Sequence, residues 1–141
     1  MASLVVVPSG AQVASGTLAY SVPGGRLLSV NLQLTVSAAS GSAPTFDLYL
    51  QHSVDDGNGA TTWDDFIHFA QMTGTGQQYA QWIRDVTPTS PVHAQKNLAL
   101  TAGTVNQGPV GSKWQFAWVI AGTTPSFTFE VWAEHLHGPT E

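Results

Sequence analysis

The chain has 141 residues, 43% hydrophobic and 9% charged, with four basic against nine acidic side chains and a formal net charge of −5. No basic run exists, so a nucleic-acid partner is disfavoured on electrostatic grounds. Cysteine is absent, which removes disulfides, thiolate metal sites and thiol nucleophiles together.

A chain of this length fits one domain that buries roughly two-thirds of its unfolded surface. Few charges, with 14 Gly and 8 Pro, favour short strands and turns over long surface helices. Met1 to Pro8 lacks a basic region, and its apolar run is too short for a signal peptide. No stretch approaches the ~18 to 20 apolar residues of a membrane span. A soluble protein with no membrane partner is expected.

Taken in order, Ser3 to Val7 reads as a first strand closed by Pro8-Ser9-Gly10 and apolar on both faces. Either the second layer of the domain or a neighbouring subunit could cover it. Ala11 to Tyr20 is a weaker strand interrupted at Ser15-Gly16, and Val22-Pro23-Gly24-Gly25 is a turn. Leu28 to Ser37 gives the cleanest period of two, with Leu28, Val30, Leu32, Leu34 and Val36 directed inward. Ala38 to Pro44 reads as a linker.

Thr45 to Phe69 reads as a hairpin around Asp55-Asp56-Gly57-Asn58-Gly59. In its second arm Phe66 and His68 oppose Ile67 and Phe69, so both faces are expected to be covered. Gln77 to Val86 is a further strand, in which one of the adjacent Trp82 and Ile83 must leave the core face and become a candidate contact. Thr87 to Asn97 is loop, Leu98 to Thr101 at best a short strand, and Thr104 to Ser112 a turn-rich connection.

Lys113 to Ile120 carries Trp114, Phe116, Trp118 and Ile120 on one face. Ala121 to Pro125 turns the chain, and Ser126 to Glu134 directs Phe127, Phe129, Val131 and Ala133 inward, with Trp132 outward. The pattern predicts an all-β, antiparallel β-sandwich of about eight strands, a jelly roll. Residues 1–10 would be an N-terminal arm or first strand, 11–136 the sandwich domain and 137–141 a tail.

Residues able to carry chemistry are sparse. Asp55, Asp56 and Asn58 offer calcium-type oxygens, but a glycine-rich turn needs these residues for its own geometry. Asp64 and Asp65 point to opposite faces of a strand and cannot form an acid/base pair. His135 and His137 could place two imidazoles on one side for zinc, but no third ligand is suggested nearby, and His52, His68 and His93 are isolated. No nucleophile elbow, phosphate loop or metalloprotease motif is present. No catalytic, cofactor or metal site is expected, and an enzyme ranks below binding functions.

Ser53-Val54-Asp55-Asp56-Gly57 followed by Thr62-Trp63 resembles an Asp-box hairpin, with four residues inserted where that pattern has one; a single copy cannot make a propeller. The wider order is Leu48-Tyr49-Leu50-Gln51-His52-Ser53, Thr62-Trp63-Asp64-Asp65, Phe69-Ala70-Gln71-Met72-Thr73-Gly74-Thr75-Gly76, a Trp-rich strand and Ser126-Phe127-Thr128-Phe129-Glu130-Val131. This order is similar to small jelly-roll structural proteins of tailed bacteriophages that decorate or cement a capsid, over about residues 26 to 134.

The resemblance implies a virion protein made in the host cytoplasm, binding the major capsid protein on the shell as a homotrimer. Expected contacts are Leu4, Val5, Val6 and Val7 of a flexible N-terminal segment, Trp82 of the Trp82/Ile83 pair, and Trp132, which could instead pack beneath a loop. The competing reading is a carbohydrate-binding module, of a tail fibre for example, using Tyr49, Trp63, Trp82 and Trp132.

Overall fold

The structure, a computed structural model, describes residues 3–22, 27–54, 62–84, 100–107 and 110–138. Among them there are seven strands and no helix: β1 (Ser3–Gln12), β2 (Gly16–Tyr20), β3 (Leu27–Ser53), β4 (Asp64–His68), β5 (Gly76–Ile83), β6 (Thr104–Val105) and β7 (Lys113–His137). Every pairing is antiparallel. The expected hairpin forms, with Tyr49 opposite His68 and Leu50 opposite Ile67, and Phe66 through Phe69 are buried on both faces. The candidate calcium turn and the loop from Thr87 to Asn97 lie outside the described residues.

The two long strands organise the molecule. β3 and β7 pair along almost their whole length, from Leu27 opposite His137 to Ser53 opposite Lys113. The first half of β3 also pairs with β5, and the second half of β7 with β1. The second half of β3 pairs with β4, which carries β6, and the first half of β7 pairs with β2. One hydrogen-bonded ladder therefore supplies two layers.

Ring contacts close them into a sandwich. Phe46 meets Phe127 and Phe129 at centroid distances of 5.3 and 4.7 Å, Trp118 meets Phe129 at 5.4 Å, and Trp82 meets Phe66 and Trp114 at 6.3 and 5.6 Å. The core holds the inward positions that the alternation predicts from Val30 onward, Val30, Leu32, Leu34 and Val36 sharing one buried cluster with Leu48, Leu50, Phe116 and Trp118. Leu28, expected inward, is only half-buried, because a register shift between Leu27 and Ser29 leaves those two residues buried in its place.

Ala38 to Pro44 and Ala121 to Pro125 were expected to interrupt the strands, and they do not. Both are bends inside continuous strands, so fewer and longer strands result. Gly41 and Gly122 have φ of 115° and 120°, and two residues on Ala43 and Thr124 have φ of 49° and 48°, each followed by proline. The bends lie against each other, with Ser42 opposite Thr123, flanked by Ser40 with Ser126 and Thr45 with Ala121. A Cβ on Gly41 would lie 2.9 Å from Pro125 Cα and Thr124 O, and one on Gly122 2.9 Å from Ala43 O and Pro44 Cα. Only glycine permits both the φ and the approach.

Pro8 likewise does not end β1, which continues to Gln12. Register shifts on either side of Val7 absorb a residue with no N–H to donate, as an edge strand allows. Within the stretch read as a turn-rich connection, Thr104–Val105 pairs with β4, whereas Leu100 and Thr101 are not in a strand.

Candidate binding surface

The outward residues of the first layer form ordered rows, because inward Leu32, Ala80 and Ala133 force their neighbours to the other face. In one row Tyr79 on β5, Gln33 on β3, Trp132 on β7 and Val5 on β1 are in register. In the next stand Gln81, Asn31, Glu134 and Ser3. Except for Val5, the residues of these rows line an open groove of about 450 Å³ that runs from Tyr79 to Ser3.

Tyr79 is 75% exposed and Trp132 38%. Gln81 Nε2 donates to Asn31 Oδ1 at 2.7 Å, and Ser3 Oγ to Glu134 Oε1 at 2.7 Å. Among the described residues Glu134 is the one charged residue of the lining.

The expected contact residues separate into two groups. Leu4 and Val5, each 41% exposed, and Trp132 lie on or beside the β1 edge. Val6 is partly buried against the core, and Val7, at 5% exposure, is inside it. Trp82 is 2% exposed, with Phe66 and Trp114 at its ring edges, so Ile83 is the residue that turns outward. The segment from Ser3 is a paired strand in place of a free arm.

The aromatic platform of Tyr49, Trp63, Trp82 and Trp132 does not assemble. Tyr49 belongs to the outer face of the other layer and Trp82 to the core; Trp132 shares its face with Tyr79, which sequence reasoning passed over. The signal was available in the outward parity of Tyr79 beside Gln77 and Gln81.

The second layer has its own polar face. His68 directs Nε2 at Asp47 Oδ1 (3.0 Å) and Nδ1 at the Leu100 carbonyl (2.9 Å), while Gln71 Nε2 donates to Asp47 Oδ2 (2.8 Å) and Tyr49 stacks on the imidazole at 4.0 Å. Both imidazole nitrogens face protein oxygens, so the ring ties β4 to β3 and to the segment that precedes β6. Burial, reinforced by the negative charges of Asp47 and Asp65, pushes the Tyr49 hydroxyl above its ordinary range. Gln115 donates to Gln51, and Gln51 to Asp65, each at 2.8 Å.

His52 accepts the Gly111 N–H at Nδ1 (2.9 Å) and sits edge-on to Phe66. His135 is buried, with the Tyr20 hydroxyl against its Nε2, and burial holds the Tyr20 hydroxyl well above the usual phenol range. That nitrogen is therefore occupied, and His137 stands 6.4 Å away between ring centroids. Among the described residues no group of three or more His, Asp or Glu could hold a metal ion.

No family model, curated protein or solved structure matches this chain. What the geometry defines is a class: an antiparallel β-sandwich whose groove, among the described residues, is an aromatic and amide surface on a sheet exterior.

Proposed function

We propose that this chain is a structural protein of a tailed-bacteriophage virion, made in the host cytoplasm, that decorates and stabilises the capsid by binding the major capsid protein as a homotrimer. The observation that carries the reading is the β1 edge. It is the terminal strand of its layer, pairing only with β7 among the described strands, and it leaves Leu4 and Val5 exposed beside Trp132. An open strand edge offers unpaired N–H and C=O groups to an incoming strand, and flanking apolar side chains add area and register.

Such contacts need shape and apolar area, with no catalytic group. A jelly-roll relationship to phage cement proteins fits a cysteine-free chain, since a thiol-free domain folds alike in a reducing cytoplasm and in a free particle. The test is co-sedimentation of the purified chain with empty, undecorated capsids of a phage that encodes it, with native mass measured alongside. A trimer that pellets with capsids, and a Leu4→Asp/Val5→Asp protein that stays in the supernatant while melting like the parent, is the expected result. Failure of the parent chain to pellet, or pelleting by the variant at the parent level, would overturn the proposal.

A further inference from the structure

We infer that the groove between Tyr79 and Trp132 is a binding site for an uncharged oligosaccharide. The inference does not rest on the capsid reading. Its volume of about 450 Å³ lies in the range of small-ligand sites, roughly 300–1,000 Å³. The decisive feature is the arrangement of its walls. Tyr79 and Trp132 are separated by the single strand that carries Gln33, so their backbones stand about two strand spacings, or roughly 9–10 Å, apart.

Each exposed ring offers an apolar face to the C–H surface of one pyranose, and Gln33 lies at the level of the hydroxyls between them. The Gln33 amide has no hydrogen-bond partner among the described residues, so both its donor and its acceptor remain for a ligand. Asn31, Gln81 and Glu134, in the adjacent row, hold one another or Ser3 through one group each. Each lines the groove and keeps further donor or acceptor capacity beyond that bond.

Planar amides and a carboxylate alternating with aromatic faces match vicinal hydroxyls on stacked rings. They offer a peptide side chains alone in the middle of the groove, where β3 and β7 are paired on both sides, and free backbone only at its two ends, on the edge strands β5 and β1. The charge pattern narrows the class. Among the described residues Glu134 is the lining's one charged side chain and the whole chain carries a formal −5, so sialylated, uronate-rich or phosphorylated glycans would meet repulsion that no described lining residue offsets. Two aromatic subsites also require more than one sugar ring.

The test uses the full chain on an array of neutral gluco-, galacto-, manno- and N-acetylated di- to hexasaccharides, with sialylated and uronate glycans alongside. The strongest binder is then titrated by tryptophan fluorescence. Expected are a response confined to neutral oligosaccharides, monosaccharides about tenfold weaker, and a Tyr79→Ala protein also about tenfold weaker, the loss of one stacking contact. That variant should melt like the parent, because Tyr79 is exposed, and should still pellet with capsids, which separates this site from the β1 edge. Gln33→Ala should weaken binding in the same sense, and Trp132→Phe should remove most of the fluorescence change. No glycan response, a response to anionic glycans alone, or unchanged affinity in Tyr79→Ala and Gln33→Ala would overturn the inference. So would loss of self-association in Tyr79→Ala without any glycan response, which would assign the face to a second copy of the chain.

Discussion

Replacing Gly122 with alanine strikes the fold at its bend. The added Cβ would lie 2.9 Å from Ala43 O and from Pro44 Cα, and both obstacles are main chain of the opposing bend, which cannot rotate aside as a side chain would. The φ of 120° is itself in a region that costs non-glycine residues about 1–3 kcal/mol. Displacing packed neighbours adds about 1–3 kcal/mol more. A total near 3 kcal/mol is a large share of the roughly 5–15 kcal/mol that holds a domain together, and lowers Tm by roughly 10 °C for a chain of this size.

Urea and thermal unfolding followed by tryptophan fluorescence and circular dichroism measure it. Gly10→Ala is the control: a Cβ there meets nothing within 4 Å, and the change should stay within about 0.5 kcal/mol. Gly41→Ala should behave like Gly122→Ala, and the double variant should cost less than the sum because the two bends touch. A Gly122→Ala protein as stable as the Gly10→Ala control would refute the reasoning.

Phe46 is fully buried between Phe127 and Phe129, so Phe46→Ala should cost about 3–5 kcal/mol in urea unfolding; a loss no larger than that of a surface substitution would show that the layers do not meet there. Tyr20→Phe deletes the hydroxyl held by His135 Nε2. It should destabilise by about 1–2 kcal/mol, and the His135 imidazole should take up a proton more readily in an NMR titration; an unmoved titration would contradict the pairing. Burial pushes the His52 imidazole below its ordinary range, with Asp64 partly opposing, and protonation would also forfeit the Gly111 N–H bond. The unfolded chain thus binds this proton more readily. Stability is complete above the unfolded histidine value of about 6.5 and falls as pH drops from there toward the lower folded value. The urea midpoint should decline over that window, less so in His52→Gln, and His135, lowered by burial and by His137, acts in the same sense; a flat midpoint would refute it.

The period-two patterns from Leu28 to Val36, Trp114 to Ile120 and Phe127 to Ala133 made the two layers legible, because burial on one face writes itself into alternate positions. The bends were not legible as bends. Gly41-Ser42-Ala43-Pro44-Thr45-Phe46 and Gly122-Thr123-Thr124-Pro125-Ser126-Phe127 look like strand terminators one at a time, yet in the fold each is the other's partner. Their shared Gly-x-x-Pro-x-Phe spacing was the available clue. The binding groove was half legible. Trp132 stood out as an exposed ring, but Tyr79, Gln33 and Asn31 reach it only through strand register, which depends on contacts between segments far apart in the chain. His68 looked isolated for the same reason, and its partners Asp47 and Leu100 come from β3 and from the segment before β6.

Because β3 and β7 each contribute to both layers, neither layer is a separable folding unit. A fragment carrying one of them would keep half of each long strand and lose the partner halves that cover its aromatic side chains. Native-state hydrogen exchange should therefore report one shared opening free energy for amides of the Leu32–Ala133 pair and of the Leu48–Trp118 pair, although they belong to different layers.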